Sequence, residues 1–370
     1  MLPIVYIVER KMIKSLKIEN FKGFSELALP GLKRITLLGG ANNVGKSSVL
    51  ESVFLLYSSR QQNFFTKQYH LRDVIGGGSW SDFFYNLDTD KTIQISVNDE
   101  DTQYTLKCAI KEGFHPDAGR AVQQIVLSDA RSGVAVEASD LGHGYSTSDS
   151  VTLEIMLQKN EKNIYKAHLH NDPFRPITIE KQINENLRVV TILPPDRRRT
   201  IDVRALSELN VKNKLNAVVK ILKIIEPRIK DISLVQIGNT SDIYVDIGLV
   251  KKMPIKMMGD GMIHLLSIIL AMSRSADGIL LIDEIENGLY YATTSSIWRG
   301  IYEAAEFFNC QIIASTHSYE CLKAAFKAIH SEKKEQFSYI RLERKKEKIK
   351  AEEYDYDELE WAFEQNVEVR

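Results

Sequence analysis

The chemistry-bearing residues of this chain fall into four short runs. The first, Gly40-Ala-Asn-Asn-Val-Gly45-Lys46-Ser47, has the spacing GxxxxGK[ST]. Glycines so placed let backbone N–H groups curl round a β-phosphate, the lysine sets a positive charge on the β- and γ-phosphates, and the serine hydroxyl suits Mg2+. Gly40, Asn42, Asn43, Gly45, Lys46, Ser47 and Ser48 are therefore the expected nucleotide contacts, with Ser47 also on the metal.

The second run, Gly278-Ile-Leu-Leu-Ile-Asp283-Glu284, is a buried strand ending in two adjacent carboxylates. Side chains alternate along a strand, so the two acids point differently. Asp283 suits a Mg-bound water, whereas Glu284 suits a γ-phosphate and the water that attacks it. The third, Gln311-Ile-Ile-Ala-Ser315-Thr316-His317, is another buried strand, ending in a histidine that could sense a γ-phosphate through a hydrogen bond. The fourth is Met258-Gly259-Asp260-Gly261-Met262, small residues opening an apolar helix. Unpaired N–H groups and the positive end of the helix dipole would make Gly259, Asp260 and Gly261 an anion site, although an ordinary cap has the same spelling.

The flanking pattern must position these runs. Alternation over 13–20, two strand-like pieces in 27–38, and apolar residues at helical spacing through 45–57 predict strand, glycine loop and helix around Lys46. From 79 to 193 the texture changes to short alternating runs at 92–97, 104–110, 123–127, 151–157, 164–169 and 188–193, read as antiparallel β structure; 117–150 is the least regular part. A helix over 211–225 follows, then a hairpin of 231–237 and 242–247 through Gly238-Asn239. The last third alternates helix 261–275, strand 279–282, helix 294–308, strand 311–315 and helix 319–329, the βαβ rhythm of a doubly buried parallel sheet. A strand at 337–342 and a charged tail with a short helix after Asp355 complete the pattern.

Composition narrows the class. The 370 residues carry 48 Lys and Arg against 49 Asp and Glu, a net charge of −1, which argues against a protein that coats nucleic acid generally. Cys108, Cys310 and Cys321 show no CxxC or zinc spacing and read as small buried residues in a reducing, cytoplasmic compartment. No apolar run is long enough to span a bilayer, and residues 1–11 lack the features of a signal peptide. Arg197-Arg198-Arg199 reads as a solvated loop more than a DNA contact, Trp80, Phe83, Phe84 and Tyr85 as core, and His168 and His170 as structural or surface.

Together these runs resemble the ABC-type ATPase heads of the RecF, SMC and OLD families. The opening Ile13-Lys-Ser-Leu-Lys-Ile-Glu-Asn-Phe-Lys-Gly-Phe24 looks like their first strand and NF(R/K)GF turn, and Asp283-Glu-Ile-Glu-Asn-Gly-Leu289 resembles their Walker B and D-loop. The tail from Tyr354 resembles the end of stand-alone OLD-like ATPases. The resemblance implies an α/β P-loop fold: an ABC-type head over 12–345, with a β-rich variable part at 79–193 and a signature, Walker B and switch part at 231–345, then a tail at 346–370. It implies ATP and Mg2+ as cofactors, with Lys46 and Ser47 on phosphate and metal, Asp283 at the metal, Glu284 as the catalytic glutamate and His317 as the switch histidine. It also implies a head-to-head homodimer or larger homo-oligomer, in which Gly259–Gly261 reach the partner's γ-phosphate, and a separate effector such as a TOPRIM-type nuclease in anti-phage defence. The signature reads MGDGM where such heads have LSGGQ, and the Q-loop glutamine is placed only as Gln61 or Gln62. A RecF-like DNA clamp is the competing reading, ahead of a transporter subunit or a scaffold that binds ATP without hydrolysing it.

Overall fold

Near-continuous apolar strands put a parallel sheet at the centre of the molecule. The computed structural model describes residues 12–60, 80–111, 152–170, 177–195, 201–238, 240–287, 294–329, 331–365, 367 and 369. The first part of the chain gives β1 (Ser15–Phe21), β2 (Phe24–Leu29), β3 (Ile35–Gly39), α1 (Lys46–Ser58), β4 (Ile93–Asn98), β5 (Gln103–Lys111), β6 (Thr152–Lys159), β7 (Lys162–His170), β8 (Thr178–Gln182) and β9 (Val190–Leu193). Next come α2 (Val203–Val211), α3 (Leu215–Leu222), β10 (Asp231–Ile237), β11 (Thr240–Asp246), β12 (Met253–Pro254) and α4 (Asp260–Arg274). The last part gives β13 (Ile279–Ile282), α5 (Thr294–Phe307), β14 (Gln311–Ser315), α6 (Tyr319–Ala328), β15 (Phe337–Lys345), β16 (Lys348–Tyr354) and α7 (Tyr356–Glu364).

The central sheet has the order β16-β15-β3-β14-β13-β9, parallel except for β16. Its inner strands β3, β13 and β14 are buried on both faces, which is why they read as unbroken apolar runs. Along β13, Leu280 and Ile282 join a core with α2–α6, whereas Ile279 and Leu281 join a second core with α1 and the other large sheet. That sheet is antiparallel, in the order β2-β1-β4-β5-β6-β7-β8. β10, β11 and β12 form a small third sheet. Gln311 ties the first strand to the parallel sheet: its amide accepts from Ile13 N at 3.0 Å and donates to Ile13 O at 2.8 Å.

Several expectations change. Residues 188–193 were expected in the antiparallel array, but β9 pairs in parallel with β13, with Ile279 opposite Val190, because its apolar residues complete the buried sheet. The single helix expected over 211–225 is two shorter ones, split where Asn213 adopts a left-handed φ of 56°. α2 starts earlier because the Asp202 carboxylate accepts from Arg204 N and Ala205 N, an N-cap the apolar spacing does not reveal. Strands β8, β12 and β16 have no counterpart in the sequence reading; β8 and β16 are short on apolar residues, and β12 has only two residues. Phe83 and Phe84 are core, as expected, and all three cysteines are buried free thiols, with burial pushing Cys108 and Cys310 up to about 12. Residues 1–11, 117–150, the run 123–127, Gln61, Gln62 and Arg197–Arg199 lie outside the described residues.

The β1–β2 turn braces the glycine loop. Gly45 has φ 91°, and a Cβ there would stand 2.5 Å from the Phe24 ring, so the loop and the turn are packed face to face. Beside it, Lys22 pairs with Glu51 of α1 in a part-buried ion pair and lies 5.5 Å and 5.1 Å from the Phe21 and Phe83 ring centres. Replacing Phe24 by Ala is expected to cost about 3–5 kcal/mol and to weaken nucleotide binding; urea denaturation and fluorescent-nucleotide titration would read the two effects.

Candidate functional site

In an open parallel sheet, ligands bind beyond the carboxyl ends of the strands. Here the loops leaving β3, β9, β13 and β14 enclose an open cleft of about 600 Å3. Asn42, Asn43, Gly45, Lys46, Ser47 and Ser48 line one wall; Asp283, Glu284 and His317 line the other, with Pro194 and Pro195 at the rim. The lysine-bearing turn and the twin acids, more than two hundred residues apart in the chain, therefore face one space.

The glycine loop is built for an anion. Gly40, Asn43 and Gly45 have φ values of 119°, 61° and 91°, the left-handed side where glycine and asparagine are tolerated. At Gly40 a side chain would also meet the Leu342 carbonyl oxygen at 2.2 Å. No side chain caps the first turn of α1, leaving its N–H groups and the positive helix end to the cleft. Lys46 is buried, and its ammonium donates to the carbonyls of Gly40 at 2.7 Å and Ala41 at 2.8 Å. Burial pulls its pKa below the ordinary lysine range, opposed by the negative charges of Glu286, Asp283 and Glu284.

The acids are held by the neighbouring strand. Ser315, wholly buried at the end of β14, donates its hydroxyl to Asp283 Oδ1 at 2.5 Å and accepts from Glu284 N at 2.7 Å. Glu284 takes a left-handed φ of 51°. Asn287 Nδ2 donates to Glu284 Oε2 at 2.5 Å, and His317 Nε2 stands 3.9 Å from Glu284 Oε1. Glu286 Oε1 accepts from His317 N at 2.6 Å. Ser315, Glu286 and Asn287 were not singled out in the sequence; the signals were there, in a hydroxyl at the last buried position of a strand and in further polar residues just past Glu284.

Other expected residues stand elsewhere. Gly40 borders a smaller adjoining cavity of about 320 Å3, whose lining includes Asn42 and His317 from the main cleft. Gly259, Asp260 and Gly261 do not line the cleft of their own chain; Gly259 and Asp260 are exposed at the start of α4, and Gly259 has φ 90° with open space around it. His168 is buried, its Nε2 2.7 Å from Glu180 Oε1, in keeping with a structural histidine.

Known proteins place this geometry in a class. Residues 12–193 match the model of an AAA ATPase domain, and residues 153–322 match one described as "AAA domain, putative AbiEii toxin, Type IV TA system". With the fold and the cleft, these matches make the chain a P-loop ATPase that is similar, over each matched stretch, to AAA-type ATPase domains. The chain is 25% identical over 339 residues to an "ATP/GTP phosphatase" of Helicobacter pylori, covering 84% of this chain and 87% of that one. Over 106 residues it is 34% identical to the Methanocaldococcus jannaschii protein MJECL10, covering 26% of this chain and 47% of that one. Among solved structures, the SMC head bound to the C-winged helix domain of ScpA is similar in fold, with a TM-score of 0.50 at 13% identity over 95% of this chain and 99% of that one.

Ser315→Ala removes the donor to Asp283 and the acceptor of Glu284 N together. A loss of about 1–3 kcal/mol in stability is expected, with turnover falling at least ~10-fold as the acids lose their support; chemical denaturation and a phosphate-release assay check both.

Proposed function

We propose that the cleft binds ATP with Mg2+ and hydrolyses it, and that the ATPase works as a head-to-head pair controlling a separate effector protein. The observation that carries the catalytic part is the single cleft shared by Lys46, Ser47, Asp283, Glu284 and His317. The loop suits a triphosphate: positive φ values bring backbone N–H groups inward, and a buried ammonium stands among them. Ser47 and Asp283 offer the hard oxygen donors Mg2+ prefers. Among the described residues no group of three or more His, Cys, Asp or Glu side chains could hold a metal, so such an ion would take its other ligands from phosphate and water. When bound, Mg2+ stabilises charge on the β- and γ-phosphate oxygens.

In this reading Asn42, Asn43, Gly45 and Ser48 shape the phosphate pocket and Lys46 binds the β- and γ-phosphates. Glu284 orients the attacking water and takes its proton, and His317 senses the γ-phosphate from the opposite loop. Gly259, Asp260 and Gly261, outside the lining of their own cleft, present the N-terminus of α4 to the γ-phosphate of a second head. The effector, a TOPRIM-type or other nuclease in anti-phage defence, is supported by the resemblance to stand-alone OLD-like ATPases. No helix of the described residues is long and apolar enough to cross a membrane.

Two variants test the site. Lys46→Ala is expected to abolish nucleotide binding, whereas Glu284→Gln should bind ATP normally yet turn over ~100-fold or more slowly. Phosphate release and fluorescent-nucleotide titration, with ATP and GTP and with Mg2+ chelated, separate these outcomes; normal turnover of Glu284→Gln would sink the assignment. Light scattering of Glu284→Gln with ATP should show a doubled mass, and an unchanged mass would reject the paired heads.

A further inference from the structure

The loop after β13 is laced to β14 almost entirely through Ser315. Its hydroxyl holds Asp283 and Glu284 N, and its carbonyl accepts from Ile285 N at 2.9 Å. One bond reaches further: the carboxylate of Glu286 accepts the backbone N–H of His317 at 2.6 Å. That bond fixes the stem of the residue whose ring stands 3.9 Å from Glu284 Oε1. A third acid beside a triphosphate cleft opposes anion binding, and the other oxygen, Oε2, is buried with no hydrogen-bond partner among the described residues. Leaving such an acceptor unpaired is costly. The bond to His317 N is what this side chain gains in return, and it joins the loop after β13 to the loop after β14.

We propose that Glu286 is a positioning residue: by holding the His317 backbone it sets the spacing between the His317 ring and the Glu284 carboxylate, so that the loops after β13 and β14 respond to the γ-phosphate as one piece. This inference rests on the roles given above to Glu284 and His317. Glu286 also has the strongest charge influence on Lys46 of the three nearby acids, so one side chain links the phosphate loop, the catalytic acid and the switch.

The test is a double-mutant cycle on the full-length protein, reading kcat, KM, nucleotide affinity and thermal unfolding. Glu286→Ala is expected to lower kcat roughly 10- to 100-fold, with nucleotide affinity held within about 3-fold. Glu286→Gln, whose amide oxygen still accepts from His317 N, should stay within about 3-fold of the parent. Glu286→Asp keeps the charge but falls short of His317 N, and should follow Glu286→Ala. The double variant Glu286→Ala/His317→Ala should be no slower than His317→Ala alone. Full additivity in the double variant, a Glu286→Gln as slow as Glu286→Ala, or a Glu286→Asp as fast as the parent each overturns the proposal. If Glu286→Ala does not fold, the Asp and Gln variants decide it by themselves. Unchanged turnover in His317→Ala would instead overturn the reading of the site, a failure visible before the cycle is closed.

Discussion

Parallel pairing of β14 with its two neighbours is the constraint on which the site depends. Ile312 to Ser315 stand opposite Ile35 to Leu38, and Leu280 to Ile282 opposite Ile312 to Ala314. All three strands therefore end at one level and point the same way, so whatever follows each of them emerges beside the others. A one-residue slip would exchange the two faces of a strand. Leu280 and Ile282 would then trade cores with Ile279 and Leu281, a change that two close-packed cores resist. The same packing that stabilises the sheet thus aligns the glycine loop, the acids and the histidine to within a side chain's reach.

Backbone strain is concentrated where that alignment is used. Glu284 in the left-handed region costs of order 1–2 kcal/mol, and it is offset by the bonds its amide and carboxylate make to Ser315 and Asn287. On the other wall, Gly45 leaves room for the Phe24 ring, and Lys22 joins the β1–β2 turn to Glu51. The antiparallel sheet is accordingly more than an appended lobe. Its tip is one of the surfaces against which the phosphate loop is folded.

Much of this was legible in the residues alone. Strands buried on two faces write themselves as apolar runs, so β13 and β14 coincide with the expected 279–282 and 311–315. The glycine loop was legible because its chemistry demands particular residues at particular spacings. What escaped was written in weaker terms. β16 carries Lys348, Lys350, Glu352 and Glu353 among few apolar residues, which reads as a solvated tail until β15 is seen beside it. β9 is too short for its texture to tell a parallel partner from an antiparallel one. Ser315 and Glu286 owe their importance to partners on another strand, and sequence spacing carries no information about hydrogen bonds across a sheet.

The ammonium of Lys46, bonded to the carbonyls of Gly40 and Ala41, makes the loop its own first ligand. An incoming nucleotide must therefore exchange partners with the loop and does not simply settle into an open socket. The phosphate oxygens have to take over the ammonium from both carbonyls while also meeting the free N–H groups at the start of α1. Part of the binding energy is thus spent on freeing the lysine from its own loop, whatever base the ligand carries.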